Sequence, residues 1–100
     1  MIARIWHGTV QASEAGEYLK YLEATGLKDY KNTPGNRGIQ VLQRTEGDTA
    51  HFKLITLWDD YDAIRAFAGD DIEKARYYPE DMEYLLELEP AVTHYEWREY

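Results

Sequence analysis

Three histidines, an Arg76-Tyr77-Tyr78 run and three tryptophans have the widest chemical reach in this chain. Imidazole titrates near neutrality, so His7 has the intrinsic basicity of a general base. His7, His51 and His94 are also metal-ligand types. His51 opens its strand and His7 closes a parallel neighbour, which separates them; His94, at the start of an antiparallel last strand, comes toward His7. Two imidazoles without a positioned third ligand make a poor zinc centre, and no metal is expected. Arg76 offers a forked guanidinium to an anionic substrate or an oxyanion. Tyr77 and Tyr78 add phenols that bind a ligand or pack a loop. Glu80, Asp81, Glu83, Glu87 and Glu89 read as a solvated face, partly buried through Tyr84, Leu85, Leu86 and Leu88. Arg37, between Asn36 and Gly38, belongs to a turn. The sequence has no Gly-rich phosphate loop, G-x-S-x-G or H-E-x-x-H. It also has no cysteine, which removes disulfides, thiolate metal sites and a thiol nucleophile.

The elements that must position these residues fit one domain, residues 1–100. A chain of 100 residues has material for a single core. A formal charge of −8 repels nucleic acid and anionic membranes. No apolar run reaches the roughly 18 residues of a membrane span, and the first residues do not resemble a signal peptide. A cytoplasmic location is expected.

Met1 to Gly8 alternates as a strand, with Ile2, Arg4 and Trp6 on one face and Ala3, Ile5 and His7 on the other. Ser13 is placed to cap a helix over Ser13–Thr25, with Ala15, Tyr18, Leu19 and Leu22 on its apolar side and Gly26 as its left-handed terminus. Lys28 to Gly38 reads as a loop in which Thr33-Pro34-Gly35-Asn36 forms a type II turn. Strands follow over Gly38–Thr45 and Ala50–Trp58, joined by Glu46-Gly47-Asp48. Asp60 caps a helix carrying Tyr61, Ile64, Phe67 and Ala68. Asp70 and Glu73 form a capping-box pattern for a short helix. Pro79 opens a further helix with Met82, Leu85 and Leu86 as its apolar side, and Ala91–Arg98 is the final strand. The order predicts an α+β, ferredoxin-like split βαβ fold with a four-stranded antiparallel sheet and helices on one face. If Phe52, Leu54, Thr56 and Trp58 face the helices, then His51, Lys53, Ile55 and Leu57 face away. Ile5, Ile55 and Leu57 then form an apolar surface suited to a second copy packed sheet to sheet, a homodimer.

This layout resembles the antibiotic biosynthesis monooxygenase superfamily of dimeric α/β barrels. The residues that carry the resemblance are the strand Met1 to Trp6, Thr33-Pro34-Gly35-Asn36-Arg37-Gly38, and Leu54-Ile55-Thr56-Leu57-Trp58-Asp59-Asp60 running into Tyr61–Phe67. It covers nearly the whole chain. The resemblance puts Trp58 on the wall of a cleft between sheet and helices, where an indole suits a planar aromatic ligand. Trp6, Thr56 and Tyr78 join it as substrate-binding residues, with Arg76 and Tyr77 as catalytic candidates. The haem-degrading branch has an asparagine near Trp6 and an iron-ligating histidine near Arg76, Tyr77 and Tyr78; this chain has neither. The quinone-forming branch has an asparagine at the place of Leu54. The implied activity is a cofactor-independent, monooxygenase-like oxidation of a small aromatic or polyketide-like compound. The alternative is a non-catalytic dimeric domain that binds a small ligand or serves in stress response.

Overall fold

The computed structural model describes residues 1–100. Strand β1, Ile2–Gln11, alternates between covered and partly exposed positions. It runs three residues past its expected end, because Thr9, Val10 and Gln11 pair with His51, Ala50 and Thr49. A single 3-10 turn, Ala12–Glu14, leads into α1, Ala15–Ala24, and Ser13 makes no cap hydrogen bond. The expected left-handed terminus at Gly26 is also absent. Thr25 (φ −118°, ψ −92°) breaks the helix, and Gly26 opens α2, Gly26–Asn32, inside the expected loop. Its bare Cα lies under Tyr78, with an added Cβ 3.7 Å from that ring.

Strands β2, Asn36–Glu46, and β3, Thr49–Trp58, form the expected hairpin. The turn before β2 is type II: Asn36 N–H donates to the Thr33 carbonyl at 3.2 Å, and Gly35 has φ +93°. An added Cβ at Gly35 would stand 2.5 Å from Cβ of Ala63. Gly35→Val therefore meets left-handed strain and a clash with the following helix. It should cost about 2–4 kcal/mol, read as a lowered urea midpoint at unchanged slope.

Helix α3, Tyr61–Ala68, starts as expected, with Asp60 Oδ1 accepting from Ala63 N–H at 2.9 Å. The Asp70/Glu73 helix does not form. The backbone there is committed to other partners: Arg4 takes the carbonyls of Ile72 and Lys74, and Glu73 O accepts from Val92 N–H. Helix α4 is one turn, Asp81–Tyr84. Met82 and Leu86 are exposed while Asp81 and Leu85 are buried, so the turn is rotated from its expected apolar side. The last strand, β4, shrinks to Thr93–Glu96, since Ala91 and Val92 pair with the segment around Lys74.

The sheet order is β2-β3-β1-β4, antiparallel throughout, with the helices on one face. This is the ferredoxin-like arrangement. Phe52, Leu54, Thr56 and Trp58 do face the helices and are buried; His51, Ile55 and Leu57 are half-buried on the open side. Arg4 is 2 % exposed and has no carboxylate partner. It acts as a pin, holding the irregular 69–80 stretch against the sheet through two carbonyls and His94. No helix is long and apolar enough to cross a membrane.

Candidate functional site

Between sheet and helices lies a cavity of about 20 Å³, lined among others by Trp6, Tyr18, Tyr30, Arg76, Tyr78 and Asp81. That space holds a single water-sized body. Trp6 reaches it from β1 and stands edge-on to Tyr77, ring centres 6.3 Å apart. Its buried indole nitrogen has no hydrogen-bond partner. Gly8 makes room for that indole: a Cβ there would lie 2.4 Å from the Trp6 ring.

Arg76 comes from the stretch that Arg4 pins. Its guanidinium lies 4.7 Å from the Phe67 ring centre and 5.2 Å from that of Tyr78. It donates to the Phe67 carbonyl at 3.0 Å and stands 3.6 Å from the Asp29 carboxylate. The Tyr78 hydroxyl also donates to Asp29. Burial, and then that carboxylate, push the Tyr78 phenol above its ordinary range. Burial raises Tyr18 as well, with Asp81 adding to it. Tyr30 and Tyr77 are raised chiefly by burial. These phenols stay protonated, and Tyr18, Tyr77 and Tyr78 serve as donors, not bases.

Asp81 reverses an expectation. Far from lying on a solvated face, it is 3 % exposed and borders the cavity. It accepts from Tyr18 OH at 3.0 Å and Tyr78 N–H at 2.7 Å. Burial raises its pKa, against the two hydrogen bonds that lower it. The sequence hid it between Glu80 and Glu83 in an acidic stretch; only its i, i+4 spacing from Leu85 hinted at an inward position.

Of the expected site residues, Trp6, Arg76 and Tyr78 meet at the cavity. Tyr77 packs on Trp6 and donates to the Glu89 carbonyl. Trp58 stands one ring behind the wall, 6.2 Å from Tyr30, with no exposed surface. Its N–H donates to Thr56 Oγ1 at 2.8 Å, and Thr56 in turn donates to the Arg4 carbonyl. Arg37 spends its fork on Asp59, at 2.7 and 2.8 Å, beside the type II turn.

The histidines are not arranged as expected. The crossover makes β1 and β2 run the same way, and β3 returns between them antiparallel to both. His51 therefore lies diagonally across from His7, not far from it: the rings stack with Nε2 of His7 3.1 Å from Nδ1 of His51. His94 is on the other face, 3.2 Å from Arg4, and burial followed by that guanidinium lowers its pKa.

No protein-family model matches the chain, and no curated protein does. Solved structures do. A protein assigned to the antibiotic biosynthesis monooxygenases from Bacillus cereus aligns over 99% of this chain and 96% of its own, with TM-score 0.66 and 11% identity. The haem-degrader MhuD from Mycobacterium tuberculosis, with two haems in its active site, aligns over 96% and 94%, with TM-score 0.57 and 21% identity. A NIPSNAP domain protein from Burkholderia xenovorans aligns over 98% and 95%, with TM-score 0.60 and 20% identity. These likenesses span the whole length of both partners, and the fold of this chain is the one shared by the antibiotic biosynthesis monooxygenase-like proteins and the haem-degrader.

Proposed function

We propose that the chain binds a small planar hydroxyaromatic or polyketide-like compound between sheet and helices and oxidises it with dioxygen, without a cofactor. One observation carries this reading: the Trp6 indole, the Arg76 guanidinium and the buried Asp81 carboxylate line one cavity. Cofactor-free oxygenation requires the substrate to be deprotonated and its anion stabilised. Asp81 is positioned as the base: it borders the cavity, and burial raises its pKa above the ordinary carboxylate range. Arg76 stabilises the resulting anion, with Tyr78 as a further donor, the Trp6 indole as a flat wall and Tyr77 holding the Trp6 ring. In this reaction class the substrate supplies the electrons; one oxygen atom enters it and the other leaves as water. Because the cavity is small, entry requires Tyr30 and the 69–80 stretch to open; Thr56 and Trp58 would then form the back wall.

The test is oxygen uptake and tryptophan quenching with a panel of planar phenols. At least one should quench and consume oxygen, and Asp81→Asn should abolish uptake while keeping quenching. The absence of both responses would remove the reading. Haem degradation is the weaker use of this fold here. Arg76 and Tyr77 stand where an imidazole would be needed, so haemin should give no Soret shift. A second reading, a ligand-binding domain without catalysis, is favoured by the tight cavity and by Leu54, which offers no hydrogen bond. Quenching without uptake would select it.

The open sheet face supports a homodimer through Ile5, Ile55 and Leu57. Ile5 and Ile55 are direct cross-strand partners, and Leu57 faces Ala3 beside them. Light scattering should give near twice 11.7 kDa, and Leu57→Glu should yield monomer, because an unpaired charge cannot be buried there cheaply. A wild-type monomer at micromolar concentration would remove the pairing.

A further inference from the structure

We propose that His7 and His51 form a proton-operated release for the homodimer: the pair takes up one proton with its contact intact, and a second, on mild acidification, separates the copies. This rests on the sheet-to-sheet pairing proposed above and concerns its regulation. His7 follows Ile5 on the open side of β1, and the same side of β3 runs His51, Lys53, Ile55, Leu57. The two imidazoles therefore lie at one end of the apolar surface that a second copy would cover.

Their contact is an end-on hydrogen bond, with Nε2 of His7 3.1 Å from Nδ1 of His51. Such a bond holds one proton between two nitrogens, and one of the two must keep its lone pair. Each outer nitrogen faces a carboxylate. Nδ1 of His7 is 2.6 Å from Glu89 Oε2, and Nε2 of His51 is 3.9 Å from Glu46 Oε1. With both rings neutral, His7 carries its proton on Nδ1, toward Glu89, and His51 donates its Nδ1–H to the free Nε2 of His7. One added proton fits on either ring, because the bridging N–H can come from either side. A second leaves no lone pair at the junction, and two N–H groups of two cations meet head on. The pair therefore titrates as a unit, in two steps.

The surrounding charges make that second proton costly in a closed interface. Strand β2 brings Arg44 and Glu46, β3 brings Lys53, the segment before β4 brings Glu89, and β4 brings Tyr95, a phenol. Arg44 and Lys53 offset Glu46 and Glu89 while both imidazoles are neutral. Full protonation leaves each copy with two positive charges in excess, doubled across a two-fold interface that excludes water. The overall charge acts in the opposite direction. At −8, with a pI of about 4.7, the chain loses net charge on acidification, and repulsion between copies weakens. Release by acid runs against that trend and marks a local site.

The experiment is light scattering of the full chain at micromolar concentration, from about pH 7.5 to about pH 5.5. Wild type should be a dimer at the upper end and should dissociate at the lower, its Kd raised roughly tenfold or more. His7→Gln and His51→Gln each remove one proton-binding ring and should stay dimeric throughout. His94→Gln, on the other face, should dissociate as wild type does. Urea midpoints at both ends show that the released monomer is folded. Should a glutamine variant fail to fold, the imidazole resonances of wild type decide: two coupled steps shared by His7 and His51 support the release, and two independent single steps overturn it. A wild-type dimer at both ends would overturn the release and leave the pairing standing. A monomer at both ends would overturn the pairing and the release with it. Acid dissociation unchanged in both glutamine variants would also overturn the release.

Discussion

Trp58→Phe is expected to cost about 2–3 kcal/mol, a large part of the stability of a 100-residue domain. Trp58 has no exposed surface. Its ring packs at 6.2 Å on Tyr30 and 5.8 Å on Phe67. Phenylalanine leaves a void where the second ring stood and removes the N–H that Thr56 Oγ1 accepts. The Thr56 hydroxyl keeps its own acceptor, the Arg4 carbonyl, so the loss is chiefly one of packing and of one hydrogen bond. Urea melts of the two proteins measure it. A nearly unchanged midpoint, with lost quenching by a planar phenol, would instead make Trp58 a ligand wall in the resting protein.

Asp81→Leu should be the most damaging change at the cavity, about 2–4 kcal/mol, because it orphans the Tyr78 N–H and the Tyr18 hydroxyl in a buried place. Asp81→Asn behaves differently. The amide oxygen accepts from Tyr78 N–H, the amide nitrogen donates to Tyr18, and the phenol turns to accept. The fold survives while the titration is lost. Burial raises the Asp81 pKa above the ordinary 3.8, so the folded state holds this proton more tightly than the unfolded chain. Its contribution is fully present below the ordinary value and is lost as pH rises through the higher folded one. Midpoints of wild type and Asp81→Asn measured from about pH 4 to about pH 8 should therefore separate as pH rises, the wild type losing ground. Parallel profiles would show that this carboxyl is not perturbed.

Much of the fold was legible. The alternation in β1 and β3 named the face toward the helices, and the element order named the ferredoxin-like topology. Local pattern failed where the chain is irregular. Asp70 and Glu73 carry a helix signature, but the carbonyls a helix would need are used by Arg4 and Val92. Residues 80–89 carry an acidic pattern, yet Asp81 turns inward because Tyr18 and Tyr78 supply donors from elsewhere in the fold.

By itself the sequence determined whatever neighbouring residues encode. Gly35 takes its positive φ because Pro34 precedes it in a type II turn. Asp60 caps α3 because its side chain reaches three residues on. The tertiary structure alone decided which distant residues meet. His7 and His51 lie 44 positions apart and touch only because the crossover sets β1 beside an antiparallel β3 in one register. Asp81 meets Tyr18 across 63 positions. Such contacts depend on strand order and register, and a one-residue slip would send each side chain to the opposite face. No short stretch of sequence carries that information, because it is fixed only when the whole sheet closes on its helices.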